Sequence, residues 1–319
     1  MMAVNDPAGT AIQFCKAVNA HTPHRARLVT LETRYTHAWE EDIFLPRLPA
    51  ERLGEVEELL KNADLFHFHM TADENLRLGP FLPADYMQGK LILHHHHGHP
   101  DYRSNPGKYI EKYERLGRRN ILVSTPDLMK LFPMARWQPN LVPIHEPLLR
   151  PLSPEERADR PDRPLRIAHS PTRKDLKNTD DLLAVVQEEN AAGLSLDLDL
   201  MDDVPNAECL RRKRLCHVLF DHMQGYYGVS SLEGLSQGLA VIAGLDDWNQ
   251  ARIREFAGTD ALPWVVAKNR EELRAALREL AGDPERTAAI GAASRAFMEN
   301  HWSDRKVALR LAEAYETAV

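Results

Sequence analysis

Cysteine is nearly absent: Cys15, Cys209 and Cys216 are the three in 319 residues. Three thiols build no disulfide framework, and such sparing use fits a reducing compartment. No stretch comes near the roughly 20 consecutive apolar residues of a membrane span. The start, from Met1 to Asp6, lacks the basic-then-apolar pattern of a secretion signal, so the expected location is the cytoplasm. An excess of positive charge is also missing. The formal net charge is −7, which argues against a general long-range attraction to nucleic acid. No repeat with a period of roughly 20 to 50 residues is visible. What remains is an ordinary globular composition, 43% hydrophobic and 27% charged, in a chain long enough for two domains with a core each.

Short apolar runs alternate with helical patterns. Strands are expected over residues 2–4, 27–31, 64–69, 90–94 and 120–124, and helices over 11–19, 51–61 and 110–116. This alternation argues for an α/β fold with a parallel sheet covered on both faces. The composition then changes. Pro147, Pro151, Pro154, Pro161 and Pro164 are interspersed with charged residues, and residues 148–164 read as a linker. Strands follow over 165–169, 194–201, 217–220 and 264–266, with helices over 179–189, 207–216, 270–280 and 283–301 and a closing helix within 302–319. The expected division is therefore 1–147 and 165–301, two doubly wound units in succession.

The most informative stretch runs from Gly225-Tyr226-Tyr227-Gly228-Val229-Ser230-Ser231-Leu232-Glu233-Gly234 through Gly238 to Ala240-Val241-Ile242-Ala243. It reads as a glycine turn, a short helix with one acid, a glycine stop and a buried strand. The N–H groups at a helix start near Gly228, Val229 and Ser230 suit the phosphates of a nucleotide, and the helix dipole there favours anions. Glu233, about one turn further in, is a candidate acceptor for ribose hydroxyls.

This unit resembles the nucleotide-sugar site of GT-B glycosyltransferases, especially the large retaining family that includes sucrose and mannosyl transferases. The family string there is Glu-x-Phe-Gly-x-x-x-Leu-Glu-Ala, then a small-residue turn and a Pro-Val-Ile strand. Gly228, Leu232, Glu233, Gly238, Val241 and Ile242 match, whereas Gly225 stands where the family has its first acid and Ala240 where it has proline. The resemblance implies two Rossmann-like domains facing a central cleft, with the closing helix returning to the first domain. It implies a nucleotide-sugar donor as substrate, retention of configuration, and neither metal nor cofactor. It places Lys177, with Arg173, on the donor diphosphate, His97 beside the reacting sugar, and Gly9, Arg103 and Tyr227 on the donor side with Gly228, Val229, Ser230 and Glu233. The acceptor stays open among glycans, lipid-linked sugars and modified nucleic acid. Because Gly225 removes an acid that contacts the donor sugar, a non-catalytic nucleotide-binding module is a second reading. A sugar-nucleotide epimerase or phosphotransferase on the same fold is a third.

The internal run His94-His95-His96-His97-Gly98-His99 follows a strand. On a strand His94 and His96 face one way and His95 and His97 the other. A metal is not expected, since four consecutive histidines of one regular strand do not converge on one ion. The basic run Arg211-Arg212-Lys213-Arg214 wraps around its helix and reads as a solvated outer face.

Overall fold

The computed structural model describes residues 1–33, 41–158 and 164–318; the middle of the expected linker, 159–163, lies outside the described residues. The chain divides into two compact units, Met1–Asn140 with Arg305–Val319, and Leu141–Asp304.

The strands in chain order are β1 (Met2–Asn5), β2 (Val29–Glu32), β3 (Ile43–Phe44), β4 (Leu65–His69), β5 (Leu91–His96), β6 (Asn120–Val123) and β7 (Arg136–Trp137) in the first unit. The second unit holds β8 (Leu165–His169), β9 (Leu196–Leu200), β10 (Val218–Phe220), β11 (Ala240–Ala243) and β12 (Val265–Val266). Among the described residues they form a seven-stranded sheet in the order β3-β2-β1-β4-β5-β6-β7 and a five-stranded sheet in the order β12-β11-β10-β8-β9. Every pairing is parallel. Each order reverses direction beside its first strand, the doubly wound pattern whose crevice lies at the carboxyl ends of the strands.

Burial explains why these segments are strands. Val218, Leu219 and Phe220 are fully buried, as are Ala240, Val241, Ile242 and Ala243, so both faces of the second sheet are covered. That core joins Ile167, Leu182, Val185, Phe220, Ile242, Leu273 and Leu277. In the first unit Val56, Leu60, Phe66, Phe68 and Leu78 pack beside Met2 and Val29. The helix Asp304–Glu316 contributes to this unit. The Tyr315 hydroxyl lies 2.9 Å from His67 Nδ1, and Arg136 donates to the Ala314 carbonyl at 3.2 Å. Two short strands, β3 and β7, and the helix Asp247–Ala257 have no counterpart in the sequence reading. No helix among the described residues is long and apolar enough to cross a membrane.

Candidate functional site

In the second unit the site grows from the carboxyl ends of β8 and β10. Directly after β10 comes Asp221, buried at 2% exposure. Its carboxylate accepts from Lys177 Nζ at 2.8 Å, from the Gly228 main-chain N–H at 2.6 Å and from the Ser231 hydroxyl at 2.7 Å. Burial by itself would raise its pKa, but neighbouring His222 and the Lys177 ammonium outweigh that and hold the carboxyl well below the usual range. Gly228 caps the helix Val229–Ser236. A Cβ at Gly228 would lie 2.9 Å from Lys177 Nζ and 3.1 Å from Asp221 Oδ1, so glycine is what lets the pair approach the helix start.

Gly225 has φ of +88°. This is a conformation that residues with a Cβ adopt only with strain, and it supplies the physical reason why no acid stands there in this turn. The helix Val229–Ser236 takes part in a second buried pair. Lys213 Nζ donates to Glu233 Oε2 at 2.6 Å and to Ser230 Oγ at 2.9 Å. Burial by itself would lower the Lys213 pKa, but the Glu233 carboxylate outweighs it and raises it. His169, at the end of β8, lies 3.0 Å from the Phe220 carbonyl through Nδ1 and 2.9 Å from the Thr179 hydroxyl through Nε2. Burial pushes its pKa down to about 4.

The sequence-predicted residues are distributed unevenly over this geometry. Lys177, Gly228, Val229, Ser230 and Glu233 share one corner. The Arg173 guanidinium is exposed and pairs with Asp175 at 2.5 and 2.9 Å. The side chain of Tyr227 is turned into the core, 1% exposed, with its ring 5.8 Å from those of Trp264 and Trp302. The expectation that Tyr227 meets a donor is thereby limited to its main chain. The solvated reading of Lys213 is wrong: it is 2% exposed. Its spacing explains why, because Lys213 is four residues after Cys209 and three after Leu210, the buried stripe of the helix Asn206–Arg214. Asp221, Ser231 and His169 were also missed; the one available signal for Asp221 and His169 was their position at the end of a buried strand.

In the first unit Gly9 has φ of +64° and starts the helix Thr10–His21, whose Ala11 and Ile12 N–H groups donate to the Asp6 carboxylate at 3.1 and 2.9 Å. Arg103 pairs with Asp127 at 2.6 Å and packs on Gly98, where a Cβ would lie 2.9 Å from its guanidinium. His97 Nε2 lies 3.0 Å from His69 Nδ1, and burial pushes the His97 pKa down to about 4. The histidine run alternates as its strand requires. His96 stacks on Tyr102 at 3.9 Å and its Nε2 lies 2.7 Å from the Tyr113 hydroxyl, while His94 lies 3.4 Å from Glu74. On the other face His95 and His97 meet His67, His69 and Phe14.

No protein-family model and no curated protein matches the sequence. Solved structures do match in shape. Sucrose-phosphate synthase from Thermosynechococcus elongatus is 14% identical, with a TM-score of 0.59 over 99% of this chain and 98% of that one. HepE from Anabaena in complex with UDP and glucose is 13% identical, with a TM-score of 0.63 over 99% of each chain. A glycosyltransferase from Rickettsia africae is 14% identical, with a TM-score of 0.56 over 99% of this chain and 97% of that one. At such identities the likeness establishes the fold, which is of GT-B type.

Proposed function

We propose that this protein is a glycosyltransferase that moves a sugar from a nucleoside diphosphate donor to an acceptor hydroxyl, with retention and without a metal at the diphosphate. The observation that carries the reading is the Lys177 ammonium beside the Gly228 helix start, in a chain that shares its GT-B fold with glycosyltransferases over nearly its whole length. The UDP and glucose held by HepE favour a uridine donor here.

In this reading the diphosphate lies at the main chain of Gly228, Val229 and Ser230, and Glu233, fixed by Lys213, accepts from the ribose. The bond between the anomeric carbon and the diphosphate oxygen breaks as the acceptor oxygen attacks from the same face. The acceptor proton passes to the leaving phosphate. Negative charge grows on the diphosphate, and Lys177 stabilises it, the task a metal otherwise performs. Asp221 holds Lys177 at the helix start. In the first unit, the family resemblance is what assigns His97 to the sugar and Arg103 and Gly9 to the donor.

A thermal-shift series with UDP, GDP, ADP, CDP and TDP and their sugar conjugates, with and without EDTA, tests this reading. Stabilisation by one nucleotide, of equal size with and without EDTA, is expected, together with sugar transfer that Lys177→Ala reduces far more than it reduces stability. Wild-type turnover in Lys177→Ala, or nucleotide binding without transfer across the donor panel, overturns it. The latter outcome favours the non-catalytic module that Gly225 suggests.

A further inference from the structure

Three imidazoles of the first unit line one face of two neighbouring strands. His67 and His69 are two apart on β4 and so share a face. β5 runs parallel beside it, in a register that sets His69 directly opposite His95. The convergence arises between two strands, where a run on one strand offers none. The ring centroids are 4.2 Å apart for His67 and His69, 5.3 Å for His67 and His95, and 5.4 Å for His69 and His95. One ring nitrogen of each residue lies within 4.8 Å of those of the other two, and none of the three is more than 1% exposed.

The hydrogen bonding of these rings is incomplete in a particular way. His67 uses Nδ1 on the Tyr315 hydroxyl, at 2.9 Å, and His69 uses Nδ1 on His97 Nε2, at 3.0 Å. The Nε2 atoms of both are buried and make no hydrogen bond. His95 has the main chain of Gln138 as a polar neighbour, but neither of its nitrogens makes a hydrogen bond of normal geometry. Buried polar atoms left unpaired are rare and costly, and a cluster of them on one spot calls for an occupant.

We propose that His67, His69 and His95 bind one zinc ion. Imidazole nitrogen is a preferred zinc ligand. Metal-bound histidines characteristically give their other N–H to an outer acceptor, which fixes the tautomer. Here the Tyr315 hydroxyl serves His67 in that way, and His97 serves His69. Burial lowers the pKa of all three imidazoles, which keeps them in the neutral form a metal requires. Zinc–nitrogen bonds of about 2.0–2.1 Å put tetrahedral ligands roughly 3.3 Å apart. The stacked rings therefore splay by side-chain rotation to close on the ion. This site is separate from the residues assigned to the diphosphate, and it ties the last helix, through Tyr315, to the two central strands of the first unit.

The test uses the full chain, stripped with EDTA and exchanged into metal-free buffer, then titrated with zinc against a competing chromogenic chelator. One zinc per chain is expected, with a rise in melting temperature. Cobalt in its place is expected to give the intense visible bands of a low-coordinate ion. His95→Ala is expected to weaken binding by about 100-fold or more, and Tyr315→Phe, which keeps the packing, by roughly 10–100-fold. His145→Ala, an exposed histidine of the second unit, leaves binding unchanged. No uptake by the stripped wild type overturns the proposal, as does a six-coordinate cobalt spectrum or wild-type affinity in Tyr315→Phe. If His95→Ala does not fold, the cobalt spectrum and Tyr315→Phe decide. A nucleotide shift that survives EDTA while zinc uptake fails removes this site and leaves the proposed transferase standing.

Discussion

Lys213 Nζ and Glu233 Oε2 are 2.6 Å apart inside the second unit, the two residues being 2% and 7% exposed. The lysine comes from the helix before β10 and the acid from the helix after it, so the pair clamps these two helices together. Removing one partner strands a buried charge. Lys213→Met is expected to cost about 3–5 kcal/mol, and the double change Lys213→Met with Glu233→Leu to recover most of it. Urea denaturation of the four combinations measures this, and a single variant as stable as wild type would refute the clamp.

Gly228→Ala tests the other pair. The added Cβ falls 2.9 Å from Lys177 Nζ, so the Lys177–Asp221 bridge has to move while the core stays as it is. Diphosphate binding is expected to weaken about tenfold or more, the ~1.4 kcal/mol of a displaced charge. The melting temperature stays within a few degrees. Calorimetric titration with UDP checks it; undiminished affinity would mean that the helix start does not meet the nucleotide.

Gly225 isolates backbone from contact. A Cβ there meets nothing nearer than Asp246 Oδ2 at 3.6 Å, yet φ is +88°. Gly225→Glu, which restores the acid of the resembling family, is expected to destabilise by ~1–2 kcal/mol and to gain no activity. Gly225→Asn should lose less, because asparagine tolerates this region better. Equal stability of the glutamate and glycine forms in thermal melts would contradict this account.

His169 sets an acid limit. Its folded pKa is lowered to about 4, against ~6.5 in the unfolded chain, so the unfolded state takes the proton first. Its contribution is complete above about pH 6.5, declines as the pH falls and levels off near 4, a loss of about 3 kcal/mol over that window. Denaturant melts at pH 7.5, 6 and 5 should show the decline, with a shallower one in His169→Gln. A wild-type slope in that variant would assign the acid sensitivity elsewhere.

Much of the fold was legible because buried parallel strands are short apolar runs, and Leu91-Ile92-Leu93 or Val218-Leu219-Phe220 announce themselves. The two-residue strands Ile43–Phe44 and Arg136–Trp137 carry too little pattern to be read. Composition pointed to a linker at 148–164, whereas the compact units divide between Asn140 and Leu141, a place flanked by Pro139 and Pro143 but without the run of charged residues that marks 148–164. The Gly228 turn was readable from spacing as a helix start, and family likeness put Lys177 near it, where the structure has it beside Gly228. Asp221 was not readable, since one acid after a strand looks like any loop residue until the Gly228 N–H and Lys177 are seen to converge on it. Lys213 was misread because four consecutive charges hid its place on the apolar stripe of Cys209 and Leu210. For Tyr227 the motif position did not say which way its side chain turns, and the structure turns it into the core.

The Asp221 carboxylate has a consequence for selectivity. It already occupies one N–H at the start of the Val229–Ser236 helix and the ammonium beside it. The resting protein thus carries its own competitor, and an incoming anion is admitted by exchange. In the proposed reading, chloride or a lone phosphate gains little from such a trade, whereas a nucleotide that also engages Glu233 brings more to it. On the proposed reading the corner would act as a threshold that small anions do not cross.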